Sequence, residues 1–358
     1  MKEMTAEALR IFEKASLNMA WYNRLVENRE VIAEQLDAMA YIMEDCAKKQ
    51  KNITEECRSN LQDIAYRARE RGIKVIDEQL WEKENGRWQL VMKVMVKDGC
   101  VTTRELTKAV AGALNRRMIP EKDTKTLIGK GVNLYTYEEE PRFQAIYGVA
   151  RMVKDGAAVS GDNFSFLEPE SGKMVMCLSD GMGSGSLACK ESEMVIELVE
   201  KFLEAGFDVE TAARMMNSAM VMKGQEDLFS TVDISELDLY DGTCRFYKIG
   251  AAATFIRRNG IVECLISTSL PVGVSYKLDM EKSEKDLYNG DFLVMVSDGV
   301  LEYLHVPNPE ETMQEIIESI ETNNATILAK RILERVLLFT GGKAADDMTV
   351  LATAIWEK

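Results

Sequence analysis

The spacing of apolar residues along the chain changes once, near residue 72. Before that point it is helical. Ile32, Leu36, Met39, Met43 and Cys46 recur at intervals of 4, 3, 4 and 3. This is the a/d seam of a helix of roughly forty residues, which Arg29 interrupts one turn earlier. Asn52 and Glu55 stand at capping-box spacing and predict the start of a second helix, with Gly72 as its C′ residue. A hairpin of this kind either packs on its own chain or acts as a dimerisation or regulatory element. Both readings are open at this level.

Beyond Gly72 the period falls to two. The runs IKVIDEQLW and RWQLVMKVMVK read as strands, and Thr102 with Glu105 opens a helix in TTRELTKAVAGALNRRM. RFQAIYGVARMV, NFSFLE and KMVMCLS are further strands. Two helices follow, Leu187 to Ala205 before Gly206 and a second from a cap at Asp208 to about Met222. Hairpins are predicted on the turns Asp241-Gly242 and Asn259-Gly260. A strand DFLVMVS, two helices in TMQEIIESIE and ATILAKRILERVLLF, and a last strand MTVLATAIW complete the pattern. Hairpins with paired helices point to an α+β fold, two antiparallel sheets with helices outside. The expected division is a helical segment over 1–72 and one α+β domain over 73–358.

Composition narrows the chemistry. With 358 residues, 46% of them hydrophobic, the chain builds a full core, and no stretch approaches the ~20 apolar residues of a membrane span. The N-terminal sixteen residues have no apolar signal-peptide centre, and the seven cysteines include no C-x-x-C pair, which fits reduced thiols in a cytosolic compartment. The net charge of −15 argues against general nucleic-acid binding, since phosphates are repelled. The single histidine, His305, lies beside a proline loop, so histidine-based triads or metal sites have little to draw on. Chemistry here rests on carboxylates.

Two of these recur in one context. MCLSDG and VMVSDG are apolar runs ending in Ser-Asp-Gly, and they deliver Asp180 and Asp298 to strand ends. A buried carboxylate is costly unless it is paired or metal-bound, and the following glycine lets the backbone turn and come close to a ligand. Asp162 in VSGDNFSF and Asp346-Asp347 in AADDMTVLATAI stand just before strands as well. Bare carboxylates converging without a cation repel one another, and hard divalent ions such as Mg²⁺ or Mn²⁺ relieve this. Two such ions offset four carboxylates and generate a hydroxide near neutral pH, the chemistry of phosphate-ester hydrolysis without a covalent intermediate. GMGSGS lacks the lysine of a phosphate-cradling loop, which weighs against a nucleotide enzyme.

The series SGDNFSF, LSDGMGSG, KIGAAATFIRR, LPVG, VSDGVLE and DDMT, in this order, resembles the metal-dependent Ser/Thr protein phosphatases of the PPM (PP2C) family, in the bacterial branch typified by stage II sporulation protein E. The resemblance covers Gly72 to the C-terminus. It implies an αββα sandwich with two Mn²⁺ or Mg²⁺ ions at one end. Asp180 would bridge the ions and the Gly181 carbonyl would complete one site. Asp298 and an aspartate of DDMT, Asp346 with Asp347 in reserve, would be further ligands. Asp162 would be a ligand or a support for metal-bound water. Arg142 and Arg151 are candidates for the arginine with which the wider family often holds phosphate. The implied substrate is phosphoserine on an anti-sigma factor antagonist, whose dephosphorylation releases a sporulation sigma factor. The family's full-length protein has a membrane domain ahead of this region, so the chain is either a fragment or more loosely related. Two alternatives stand beside an active phosphatase. One is a phosphatase-fold signalling scaffold held inactive and regulated by its N-terminal helices, with a homodimer formed through them. The other is a two-metal enzyme acting on other phosphate esters.

Overall fold

The computed structural model describes residues 50–358 apart from 84–85, 122–123, 171, 184, 223–228, 276 and 340. The seam from Ile32 to Cys46 and the helix expected around it lie outside the described residues. The chain divides into two compact units, with the break between Pro141 and Arg142.

The first unit contains the strands β1 (Gln50–Asn52), β2 (Ile73–Lys83), β3 (Trp88–Val96), β4 (Val101–Thr102), β5 (Met118–Pro120), β6 (Leu127–Ile128) and β7 (Asn133–Glu139). Its helices are α1 (Arg58–Glu70) and α2 (Thr103–Leu114). An antiparallel sheet in the order β1-β2-β3-β7-β5 carries both helices over a core that joins Leu61, Ile64 and Ala68 of α1 to Leu90, Met92 and Val94 of β3. The expected boundary at residue 72 therefore falls inside a unit. The α1 helix and the strands after Gly72 share one apolar core, and this region is mixed sheet and helix, not helical alone. The expected caps also differ. Asn52 ends a strand and its Oδ1 accepts the Thr54 N–H at 3.0 Å, so α1 starts only at Arg58. Thr102 precedes α2 with no side-chain capping bond, while Glu105 pairs with Lys108 instead.

The second unit holds β8 (Phe143–Met152), β9 (Asp162–Glu170), β10 (Lys173–Gly181), β11 (Ser230–Asp238), β12 (Thr243–Ile249), β13 (Thr254–Arg258), β14 (Ile261–Leu265), β15 (Glu281–Asp286), β16 (Phe292–Val296) and β17 (Met348–Glu357). Its helices are α3 (Ser186–Glu204), α4 (Val209–Met222), α5 (Asp298–Glu302), α6 (Pro309–Glu318) and α7 (Ala325–Phe339). One antiparallel sheet runs β15-β12-β11-β10-β9 and the other β14-β13-β16-β17-β8.

Strand periodicity explains the layering. On β10, Met174, Met176 and Leu178 join Phe246, Leu293, Met295 and Leu351 in a core between the sheets. The alternate residues Val175 and Cys177 pack on Val195, Val199 and Met216 of α3 and α4. On the opposite sheet Val294 and Val296 pack on Ile317, Leu328 and Ile332 of α6 and α7. A strand buried on both faces has no polar side to show, hence the unbroken apolar runs in the sequence. The result is the expected αββα sandwich of two antiparallel sheets between helix layers. Among the described residues no helix is long and apolar enough to cross a membrane.

Candidate active site

One end of the sandwich opens into a cleft of about 320 Å³, and Asp180, Gly181, Asp298, Asp346, Asp347 and Lys154 are among the residues lining it. β10 and β16 run side by side in sequence pattern but belong to opposite sheets, and each delivers its Ser-Asp-Gly to this end. The serines, which carried no role in the sequence reading, hold the two turns. Ser179 Oγ donates to the Thr231 carbonyl at 2.9 Å and lies 2.8 Å from Ser230 Oγ, while Ser230 Oγ also contacts the Asp180 carbonyl at 2.7 Å. Ser297 precedes α5, and its Oγ accepts the Thr349 N–H at 2.9 Å. Each aspartate thus sits on a backbone tied to the neighbouring strand.

The glycines serve close packing, not a left-handed turn. Neither Gly181 nor Gly299 has positive φ. A Cβ on Gly181 would stand 2.1 Å from the Ala188 carbonyl oxygen in α3, and one on Gly299 would stand 2.2 Å from the Asp347 carbonyl oxygen. Any side chain at either position would push apart the elements that bear the carboxylates.

The electrostatics follow from burial. Asp162 opens β9 opposite Asp180 in the ladder, is fully buried, and has no hydrogen-bond partner on either carboxylate oxygen. Burial pushes its carboxyl above the usual range, and the Asp298 charge adds to this. The Asp180 carboxyl is pushed up to about 11, first by burial and then by its neighbours Asp298 and Asp162. Carboxyls this reluctant to ionise need a cation to hold them charged.

The adjacent aspartates of the DDMT run have different surroundings. Asp347 is buried, and its two oxygens accept the backbone N–H of Lys154 at 2.9 Å and of Gly161 at 2.7 Å. It fastens both ends of the loop 154–161. Asp346 is partly exposed, accepts its neighbour's N–H at 3.0 Å, and lies 3.4 Å from Lys154 Nζ.

Five of the six residues singled out in the sequence reach the cleft: Asp180, Gly181, Asp298, Asp346 and Asp347. Asp162 lies behind them. The arginine candidates do not line the cleft. Arg142 pairs with Glu357 at 3.0 Å, and Arg151 donates to the Asp162 carbonyl. His305 is exposed, with φ of 50°, beside Tyr303. Lys154 also lines the cleft, a position for which a lone lysine in a polar loop carries no sequence signal.

The donor set is carboxylate and carbonyl oxygen, which suits a hard divalent ion, and the partnerless Asp162 carboxylate fits the same chemistry. Among the described residues no three acidic, cysteine or histidine groups are already gathered as a closed ligand shell.

The sequence profile of the family described as stage II sporulation protein E (SpoIIE) matches residues 170–355, more than half of the chain. Stage II sporulation protein E of Bacillus subtilis (strain 168) is 28% identical over 333 residues, which are 93% of this chain and 40% of that protein. The chain therefore spans less than half the length of that relative. Phosphoserine phosphatase RsbX of Bacillus subtilis (strain 168) is 35% identical over 86 residues, 24% of this chain and 41% of RsbX. The solved structure of the PP2C phosphatase domain and a fragment of the regulatory domain of SpoIIE from Bacillus subtilis matches with a TM-score of 0.64 at 28% identity, covering 92% of this chain and 96% of that one. A sandwich of the PP2C kind, with the Ser-Asp-Gly turns at one end and the family profile running through them, places this chain in the stage II sporulation protein E family.

Proposed function

We propose that the chain is a metal-dependent protein phosphatase that hydrolyses phosphoserine on an anti-sigma factor antagonist in the cytosol, and so activates a sporulation sigma factor. The observation that carries this is the Asp162 carboxylate, buried without a partner behind Asp180 and Asp298 at the mouth of a PP2C fold. The name of RsbX supports phosphoserine as the substrate class.

Asp180, the Gly181 carbonyl, Asp298 and Asp346 are the groups that would hold two Mn²⁺ or Mg²⁺ ions, with Asp162 as an inner ligand or support. Asp347 is occupied with the 154–161 loop, which favours Asp346 over its neighbour. When bound, such ions supply an activated water and a Lewis-acid pull on the phosphoryl oxygen. The chain's own part is to hold the backbone of Asp180 through Ser179 and Ser230, while its ionised form would depend on the bound ions. It also keeps the two turns in register through the glycine contacts.

Phosphate release from a phosphoserine protein, measured against Mn²⁺ concentration in wild type and Asp180→Asn, tests the reading. Turnover that depends on metal and falls at least about a hundredfold in the variant is expected. A second reading is a phosphatase-fold signalling scaffold held inactive and regulated by its N-terminal helices. No turnover in wild type at millimolar Mn²⁺ would select it.

A further inference from the structure

We infer that the first unit holds a binding site for a single-chain anionic amphiphile, an aliphatic chain ending in a carboxylate. The site is the cleft between the C-terminal end of α1 and the paired ends of β2 and β3. It stands apart from the aspartate cleft and does not depend on the phosphatase reading. Its volume is about 620 Å³, within the range of sites that enclose a small organic molecule. The apolar wall is aliphatic: Ala65 of α1, Ile73 and Val75 of β2, Val96 of β3 and Val101 of β4. Ile73 and Val96 are paired across the β2–β3 ladder and belong to the core of the unit, so this wall is the margin of a packed core. Among the described lining residues none is aromatic. A flat heterocycle has no ring to stack on there, whereas a hydrocarbon chain gains from any aliphatic surface it covers. A bulge between Val75 and Asp77 leaves Ile76 45% exposed, next in the chain to the lining Val75, which adds apolar surface outside the cleft.

The rim is cationic. Arg69, Lys74 and Lys97 line the same opening, all three exposed, and none has an ion pair or a side-chain hydrogen bond among the described residues. The neighbouring arginines are committed, Arg67 to Asp63 at 2.8 Å and Arg71 to Glu105 at 3.4 Å. The acid at the rim, Asp98, lies 3.4 Å from Lys130. A helix C-terminus favours basic residues, which accounts for Arg69 but not for Lys74 on β2 or Lys97 just past β3. With 59 acidic residues against 44 basic ones, the chain has acids in excess, yet these three cations meet unpaired over one aliphatic cleft. Arginine presents a planar fork that a carboxylate fits with two hydrogen bonds, and the lysines add compact positive charge. Apolar wall below and unpaired cations above complement the two halves of one amphiphile.

Calorimetric titration of the full chain with decanoate, kept below the concentration at which it forms micelles, tests this. Wild type should bind decanoate at a single site and should not bind acetate, which has the head without the chain. Replacing Arg69, Lys74 and Lys97 together by Gln changes only exposed side chains, so the fold persists, and decanoate affinity should fall about tenfold to a hundredfold. Replacing Lys51, Lys93 and Lys108 by Gln makes the same change of charge on exposed residues of the same unit outside the cleft, and affinity should stay unchanged. No decanoate binding to wild type overturns the inference, as does equal affinity in the cleft variant. An equal loss in both variants also overturns it, since net charge alone would then be responsible. Binding of anionic phospholipid vesicles without binding of decanoate overturns it too, and would make this face a membrane contact.

Discussion

Asp346 and Asp347 are adjacent in the chain, yet their surroundings assign them different work. Asp347 accepts two backbone N–H groups from positions 154 and 161 while buried. Replacing it by alanine leaves both donors without a partner, at a cost of about 1–3 kcal/mol. Asp346 is partly exposed and makes a 3.0 Å bond to its neighbour's N–H. We expect Asp347→Ala to lower Tm by several degrees, while Asp346→Ala leaves Tm nearly unchanged and removes metal-dependent turnover. Thermal melts beside phosphate-release rates decide this, and the reversed pattern would make Asp347 the metal ligand. Spacing alone could not separate the two, because the choice depends on which carboxylate the distant 154–161 loop engages. Asp180 and Asp298 were legible for the opposite reason: an apolar strand ending in Ser-Asp-Gly announces its own burial.

At the scale of elements, the parts written in local chemistry were readable. The hairpin on Asn259-Gly260 has φ of 51° and 81° at its two turn residues, the signs that this dipeptide favours. The Asp241-Gly242 turn is held by Asp241 Oδ1 accepting the Thr243 N–H at 2.9 Å. β15 was not readable, since Glu281–Asp286 is charged at every position but Ser283 and mostly exposed. It is a strand because β12 offers a free edge and Arg245 pairs with Glu284 across it. Packing also fixes details with no local signature. Gly148 in β8 lies so close to α7 that a Cβ there would stand 2.3 Å from Thr326 Cα. Gly148→Val should therefore lift α7 off the sheet, destabilising the unit by about 1–3 kcal/mol or more in urea unfolding. A change below 0.5 kcal/mol would show that the helix adjusts freely.

At the scale of the whole molecule, the boundary was the least legible feature. The change of period at Gly72 is real, but it marks the passage from α1 to β2 within one unit. Helix and strand signals say what an element is and not which core it enters; the buried Leu61, Ile64 and Ala68 would suit any apolar surface. The consequence is a difference between two truncations. A fragment beginning at residue 73 lacks the α1 side chains that cover Leu90, Met92 and Val94, and it should aggregate or melt well below the intact chain. A fragment of residues 142–358 keeps both sheets and all three cores of the sandwich, and should unfold in one cooperative transition. Calorimetry of the two fragments separates these cases, and a stable, monomeric 73–358 fragment would refute the shared core. The same logic fixes how a regulatory or dimerising role of the N-terminal seam should be tested. Deletion of residues 1–49 removes none of the described core, whereas deletion through 72 destroys one. A change in oligomeric state or turnover after the shorter deletion would therefore speak for the seam itself. No change in either would end that proposal.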